Sequence, residues 1–379
     1  EEEEKEGEEK EEEKGEQEEE VEQEDEEEQE DVKEKRNKNK LKGGEEGSAA
    51  ARGDPKAAPS GGSEDEESEN DSGDNNTNNP DESENDADDN PEDSDDNTNN
   101  PDEDSDPNSL INLAISMAPS LHRWRDQVAL VTGASSGIGW AICEALSLCG
   151  VYVMAVARRK ERLEALQTHI HSLGVAPSAF LPVVCDITKE NEVATLPRIA
   201  ARRWPGHGID AVINNAGLAR SDAGLLDGNI GSWIEMLSTN VLGTCMTTRV
   251  AVQDMRRRNA YGHVINIVGL SAHRIPDGPQ GGGFYCATKT ALRVITEGLR
   301  QEARGAGIPL RVSAISPGMV ETEFFEVRAF GDAEAARQAT SQFKCLDPKD
   351  VARAVLWCLS APPHMEVNEV VVRPIEQLL

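Results

Sequence analysis

The sequence predicts an α/β chain: a doubly wound, seven-stranded parallel sheet behind a disordered acidic tail. Three observations carry that expectation. Charge divides abruptly, since residues 1–110 hold 11 Lys and Arg against 47 Asp and Glu, whereas residues 111–379 hold 27 against 25. From Val128 onward, short apolar runs alternate with stretches of helical periodicity, the pattern of right-handed βαβ units. Glycines and polar residues gather directly after those runs, at the strand ends where such sheets bind ligands.

The tail comes first. "EEEEKEGEEKEEEKGEQEEE" repels itself and offers no apolar surface to offset the entropy of ordering. "DNNTNNPDE" (74–82) recurs as "DDNTNNPDE" (95–103), a period of 21 without the apolar ladder a solenoid needs. The division expected is a low-complexity tail over 1–116 and a folded domain over 117–379. The apolar patch "SLINLAISMAPS" (109–120) contains Met117, where a second start of translation is expected, leaving 263 residues.

The domain then reads in order. "VALVTG" (128–133) is an uninterrupted apolar run ending in glycine, as a strand buried on both faces should be. "IGWAICEALSLCG" (138–150) has helical spacing and a closing glycine. "VYVMAVA" (151–157) is the second strand, 158–174 a helix and "AFLPVVCD" (179–186) the third strand. "EVATLPRIAARRW" (192–204) is a helix that Pro197 either kinks or delays. "IDAVINNAG" (209–217) is the fourth strand, 232–258 one long helix, "HVINIV" (263–268) the fifth strand. A helix over 285–306 leads to "LRVSAISPG" (310–318), and 348–361 and 368–374 supply the last helix and strand.

After the first strand stands "TGASSGIG": Gly133, Ser135, Ser136, Gly137, Ile138 and Gly139 in a Rossmann-type turn. Such glycines let the backbone approach a pyrophosphate at the helix N-terminus. At the end of the second strand the acidic residue that would bind a ribose 2′-hydroxyl is absent; Ala157, Arg158 and Arg159 stand there instead. Two guanidiniums suit a 2′-phosphate, and basic residues are poorly placed at a helix start by dipole logic, so NADP(H) is the expected cofactor. Asp186 and Ile187 follow the third strand, where an adenine contact is expected, and Asn214, Asn215, Ala216 and Gly217 follow the fourth. Each alone is an ordinary turn residue; the ordered set is specific.

Tyr285 and Lys289 stand one turn apart on a helix that follows a glycine run. Many helices carry such a pair, so alone it decides nothing. Together, "TGASSGIG", "NNAG", "STNVLG", "YCATK" and "ISPG" resemble, in order and spacing, the classical short-chain dehydrogenase/reductases over about residues 123–379. The C-terminal part resembles the member-eleven branch of that family, which includes NADP-dependent ketosteroid reductases and farnesol dehydrogenase-like enzymes. The acidic tail has no counterpart there. The resemblance implies that Tyr285 is the general acid/base, with an ammonium at Lys289, helped by the charge of an oxidised nicotinamide, lowering its pKa. Lys289 would also hold the nicotinamide ribose, and Asn240 a water linking that lysine to solvent. Pro317, Gly318, Val320 and Thr322 would hold the nicotinamide carboxamide. It implies a homodimer or homotetramer built on the helices over 232–258 and 285–306.

One departure stands out. The family serine that donates a hydrogen bond to the reacting oxygen falls on Gly269 when aligned forward from Asn266. Counted back from Tyr285, it falls on Ser271, and the "GPQGGG" insertion leaves both registers open. Met319, Phe324, Phe325, Phe330, Leu270, Ile275 and Phe284 line an apolar pocket or simply pack core and lid. In the first case the substrate is a lipophilic carbonyl or alcohol. The alternative function is an NADP-binding regulatory protein with weak catalysis, motivated by Gly269.

Other classes find little support. Seven scattered cysteines without a CxxC pair suit a reducing, cytoplasmic setting, with no disulfide framework and no metal site. No apolar run is long enough to span a bilayer and no secretory signal is visible, although the chain opens without Met. The folded part is nearly neutral, and "RRR" (256–258) reads as a charged helix end rather than a nucleic-acid site.

Overall fold

The computed structural model describes residues 109–117, 120–275 and 282–377. The tail expectation over 1–108, its repeat and most of the "GPQGGG" segment lie outside the described residues. Seven parallel strands form one sheet in the order β3-β2-β1-β4-β5-β6-β7. They are β1 (Val128–Thr132), β2 (Tyr152–Ala157), β3 (Phe180–Val184), β4 (Ile209–Asn214), β5 (Gly262–Ile267), β6 (Leu310–Pro317) and β7 (Glu369–Val372). The chain reverses direction of growth between β1 and β4, so their carboxyl ends diverge into a crevice.

The apolar runs explain the centre of the sheet. β1, β4 and β5 are buried along their whole length, because helices cover both faces. One core layer joins Ala129, Val131 and Ile265 to α2 (Gly137–Leu148) and α11 (Pro348–Ser360). The opposite layer joins Val128, Leu130 and Val264 to α5 (Leu196–Arg203) and α7 (Thr244–Arg257). Pro182 lies in β3, an edge strand, where a missing backbone donor costs least.

Several elements differ from the periodicity. Pro197 divides the expected helix into α4 (Glu190–Ala194) and α5, taking a place in the first turn of α5, where its missing N–H is harmless. The long helix becomes α6 (Ile230–Leu237), a π-helical stretch Ser238–Gly243, and α7. The helix carrying Tyr285, α8, begins at Gly282 and runs to Gly305. Two short helices were not expected, α9 (Phe324–Arg328) and α10 (Ala333–Thr340). α3 (Lys160–Ser172) follows β2 as anticipated.

One further helix, α1 (Ser109–Met117), lies on the tail side of the division expected at Met117. It nonetheless belongs to the packed core: Leu110 and Ala114 are buried in the same layer as α2 and α11. The link to the far end of the chain continues through Trp124, whose indole N–H donates to the Leu359 carbonyl at 2.9 Å, and through Arg123, which donates to the carbonyls of Leu359 and Ala361. Among the described residues no helix is long and apolar enough to cross a membrane.

Candidate active site

A cleft of about 1270 Å³ opens at the carboxyl ends of the central strands. Its cofactor side is built on the turn after β1. Gly133 adopts φ +66°, a left-handed conformation that suits glycine. Asn215 holds that turn, its side-chain N–H donating to the carbonyls of Thr132 at 3.0 Å and Gly133 at 3.3 Å. A β-carbon at Gly139 would collide with the Gly133 carbonyl, so Gly139 permits close packing of turn on helix and does not line the cleft. The start of α2 leaves backbone N–H groups for an anion, and the donor set fits a dinucleotide pyrophosphate.

Beyond β2, Arg159 donates to Ser135 Oγ at 3.0 Å and Ser136 Oγ at 2.7 Å, and pairs with Glu323 at 3.0 Å. Arg158 is exposed beside it. Asp186 accepts from the backbone N–H and hydroxyl of Thr188. Burial opposes its ionisation, but those bonds and the Arg158 charge prevail and hold its carboxyl below the ordinary value. Ile187, Ala216, Gly217, Pro317, Gly318, Val320 and Thr322 also line the cleft.

The opposite wall carries Tyr285, in the first turn of α8. Ser271 lies beside its phenol in the cleft lining, and the Phe324 ring tilts against it with centroids 5.6 Å apart. Lys289 is buried one turn on, its Nζ donating to the Ile267 carbonyl at 3.0 Å and lying 5.9 Å from the Tyr285 ring centre. Asn240 sits behind Lys289 rather than on the cleft surface. Its amide is spent on both backbone groups of Leu218 and on Thr288 Oγ1, at 2.8, 2.8 and 3.0 Å. The π-helical stretch turns Asn240 inward, and Gly217 keeps the gap open: a β-carbon there would stand 3.2 Å from Asn240 and 3.4 Å from Lys289.

The family profile described as short chain dehydrogenase matches residues 127–330. The chain belongs to the short-chain dehydrogenase family. Among its relatives is dehydrogenase/reductase SDR family member 11 of Bos taurus, 44% identical over 259 residues, which cover 68% of this chain and 100% of that one. Farnesol dehydrogenase of Aedes aegypti is 36% identical, covering 67% and 98%. A closed form of serine dehydrogenase complexed with NADP+ superposes with a TM-score of 0.61 at 31% identity, over 67% of this chain and 97% of that one. An alcohol dehydrogenase from the archaeon Thermococcus sibiricus, complexed with 5-hydroxy-NADP, gives 0.56 at 27% identity, over 67% and 99%.

As a short-chain dehydrogenase site, the cluster departs from the expected electrostatics at one point. The protein groups alone do not make the Tyr285 phenol more acidic. Burial pushes its pKa up, and the neighbouring Ser271 hydroxyl and Arg328 charge offset only part of that. The Lys289 ammonium is itself desolvated, which lowers its pKa to about 8, and it points at a carbonyl instead of the phenol. At neutral pH the phenol therefore carries its proton, the form required to protonate a carbonyl oxygen. A nicotinamide held in the cleft would supply or accept the hydride. Of the two serine registers, the fold brings Ser271 to the phenol; Gly269 adopts φ +118° and has no side chain to offer.

The apolar residues divide. Leu270, Met319, Phe324 and Phe325 line the cleft. Phe284 instead stacks on Trp233, Phe330 is 58% exposed and packs under Arg220, and Ile275 is 66% exposed. Sequence reasoning missed Arg162 and Glu323, which pair at 3.0 Å, and Arg220 and Arg328, which line the cleft. No spacing signal marks them, since Glu323 meets Arg159 across 164 residues.

Proposed function

We propose that the chain is an NADP(H)-dependent oxidoreductase that interconverts a lipophilic carbonyl and its alcohol, with Tyr285 as general acid/base. The observation that carries this reading is the convergence of Ser271, the Tyr285 phenol and the buried Lys289 on a cleft whose other wall is the glycine turn. In reduction, Tyr285 gives its proton to the substrate oxygen, Ser271 orients that oxygen, and Lys289 steadies the charge left on the phenol. Arg158 and Arg159, beside Ser135 and Ser136, support a preference for a 2′-phosphorylated cofactor. Leu270, Met319, Phe324 and Phe325 support an apolar substrate such as a ketosteroid or farnesal. Exposed Ile230, Ile234, Leu237 and Leu242 along α6 and the π-helical stretch support self-association as a homodimer or homotetramer.

The Ser271 contact favours catalysis over the purely regulatory reading that Gly269 motivates. The test is NADPH consumption over a panel of ketosteroids, farnesal and quinones. Tyr285→Phe is expected to lower kcat/KM by about 10²- to 10⁴-fold while NADPH binding persists. Wild-type binding of NADPH with no Tyr285-dependent turnover on any carbonyl would favour the regulatory protein.

A further inference from the structure

We propose that Glu323 is a specificity-determining residue for the cofactor: a 2′-phosphate displaces it from Arg159 and Arg162, and that exchange frees the segment 323–340 from the glycine turn. The proposal rests on the cofactor reading above and adds to it a competitor built into the chain.

Each oxygen of the Glu323 carboxylate takes its own guanidinium, Oε2 from Arg159 and Oε1 from Arg162, both at 3.0 Å. Arg159 at the same time reaches Ser135 and Ser136 on the turn after β1. Two guanidiniums and two hydroxyls thus converge on a place served by one monovalent carboxylate. A phosphate monoester brings three acceptor oxygens and up to two charges, so it satisfies the same donors more fully. It also repels the carboxylate. The side chains concerned are 34–54% exposed, so water can replace either partner and the pair exchanges readily. A 2′-hydroxyl has no charge with which to compete and leaves the pair intact.

The exchange matters because of the residues on either side of Glu323. Thr322 fills the space beside Gly137, and Phe324 leans on the Tyr285 ring. Further along α9, the Val327 carbonyl is held by Arg220 at 2.7 Å. Glu323 is therefore the polar tie between the cofactor turn and the wall that meets the substrate. Losing it leaves that wall held by Arg220, by the Ser221 N–H on the Arg328 carbonyl at 3.0 Å and by apolar contact.

The experiment uses the full chain with 2′,5′-ADP as the phosphate-bearing probe and 5′-AMP as the control. Glu323→Gln keeps the shape and removes the charge. It is expected to tighten 2′,5′-ADP by about threefold to tenfold, and to leave 5′-AMP unchanged. In the wild type, 2′,5′-ADP is expected to speed tryptic cleavage after Arg328 and Arg337; in E323Q cleavage starts fast and does not respond. Equal affinity of wild type and E323Q for 2′,5′-ADP, or cleavage indifferent to the probe, would overturn the proposal while a wild-type preference for 2′,5′-ADP over 5′-AMP left the cofactor reading standing. Equal affinity of the wild type for the two probes would remove both.

Discussion

Gly269 and Ser271 decide how the reacting oxygen is held. At φ +118° a side chain on residue 269 would be strained, and its β-carbon would sit 3.4 Å from the Ser271 hydroxyl. Ser271 therefore has the position to itself, and Ser271→Ala is expected to lower kcat by about 10²- to 10³-fold in an NADPH-oxidation assay. Unchanged turnover would remove the residue from the mechanism. Lys289 sets the pH dependence. With its pKa lowered by burial to about 8, the ammonium is present below that pH and lost above it. Carbonyl reduction is expected to fall as pH rises through about 8, and Lys289→Met to abolish that limb of the kcat/KM profile. The Tyr285–Lys289 pair was legible because i, i+4 spacing fixes a helix face. Ser271 was ambiguous because an insertion separates it from Tyr285. Glu323 was invisible, because its partners come from the start of α3, far away in sequence.

Among the elements, the strands were readable from composition, since burial on both faces demands continuous apolar runs. The π-helical stretch was not. Ser238–Gly243 keeps the helical repeat on either side, and only the inward turn of Thr239 and Asn240 betrays the extra residue. α9 and α10 were missed for another reason: neither buries a side chain fully, so no apolar stripe marks them. α1 shows the reverse error, an apolar patch assigned to the tail that packs Leu110 and Ala114 into the core. A chain starting at Met117 leaves the surface beneath α1 bare. It is expected to lose about 2–4 kcal/mol, or about 5–12 °C in Tm, relative to one starting at Ser109. Equal melting midpoints by calorimetry would show that α1 contributes nothing to stability.

For the whole molecule, the division of charge sets the boundary condition for reading function: the net −36 of residues 1–110 says nothing about the cleft, whose cations include Arg158, Arg159, Arg220 and Arg328. The doubly wound parallel class and the place of the cleft followed from strict strand–helix alternation, because handed crossovers leave few topologies. The anchoring of α1 has a consequence during synthesis. Trp124 finds its acceptor 235 residues later, on Leu359 at the end of α11. At ribosomal rates of about 5–20 residues per second, that delay is roughly 12–47 s. Through that interval the indole lacks its acceptor and α1 has only α2 to pack against, so the face that α11 will cover stays open, and it is there that a nascent chain would most need a chaperone.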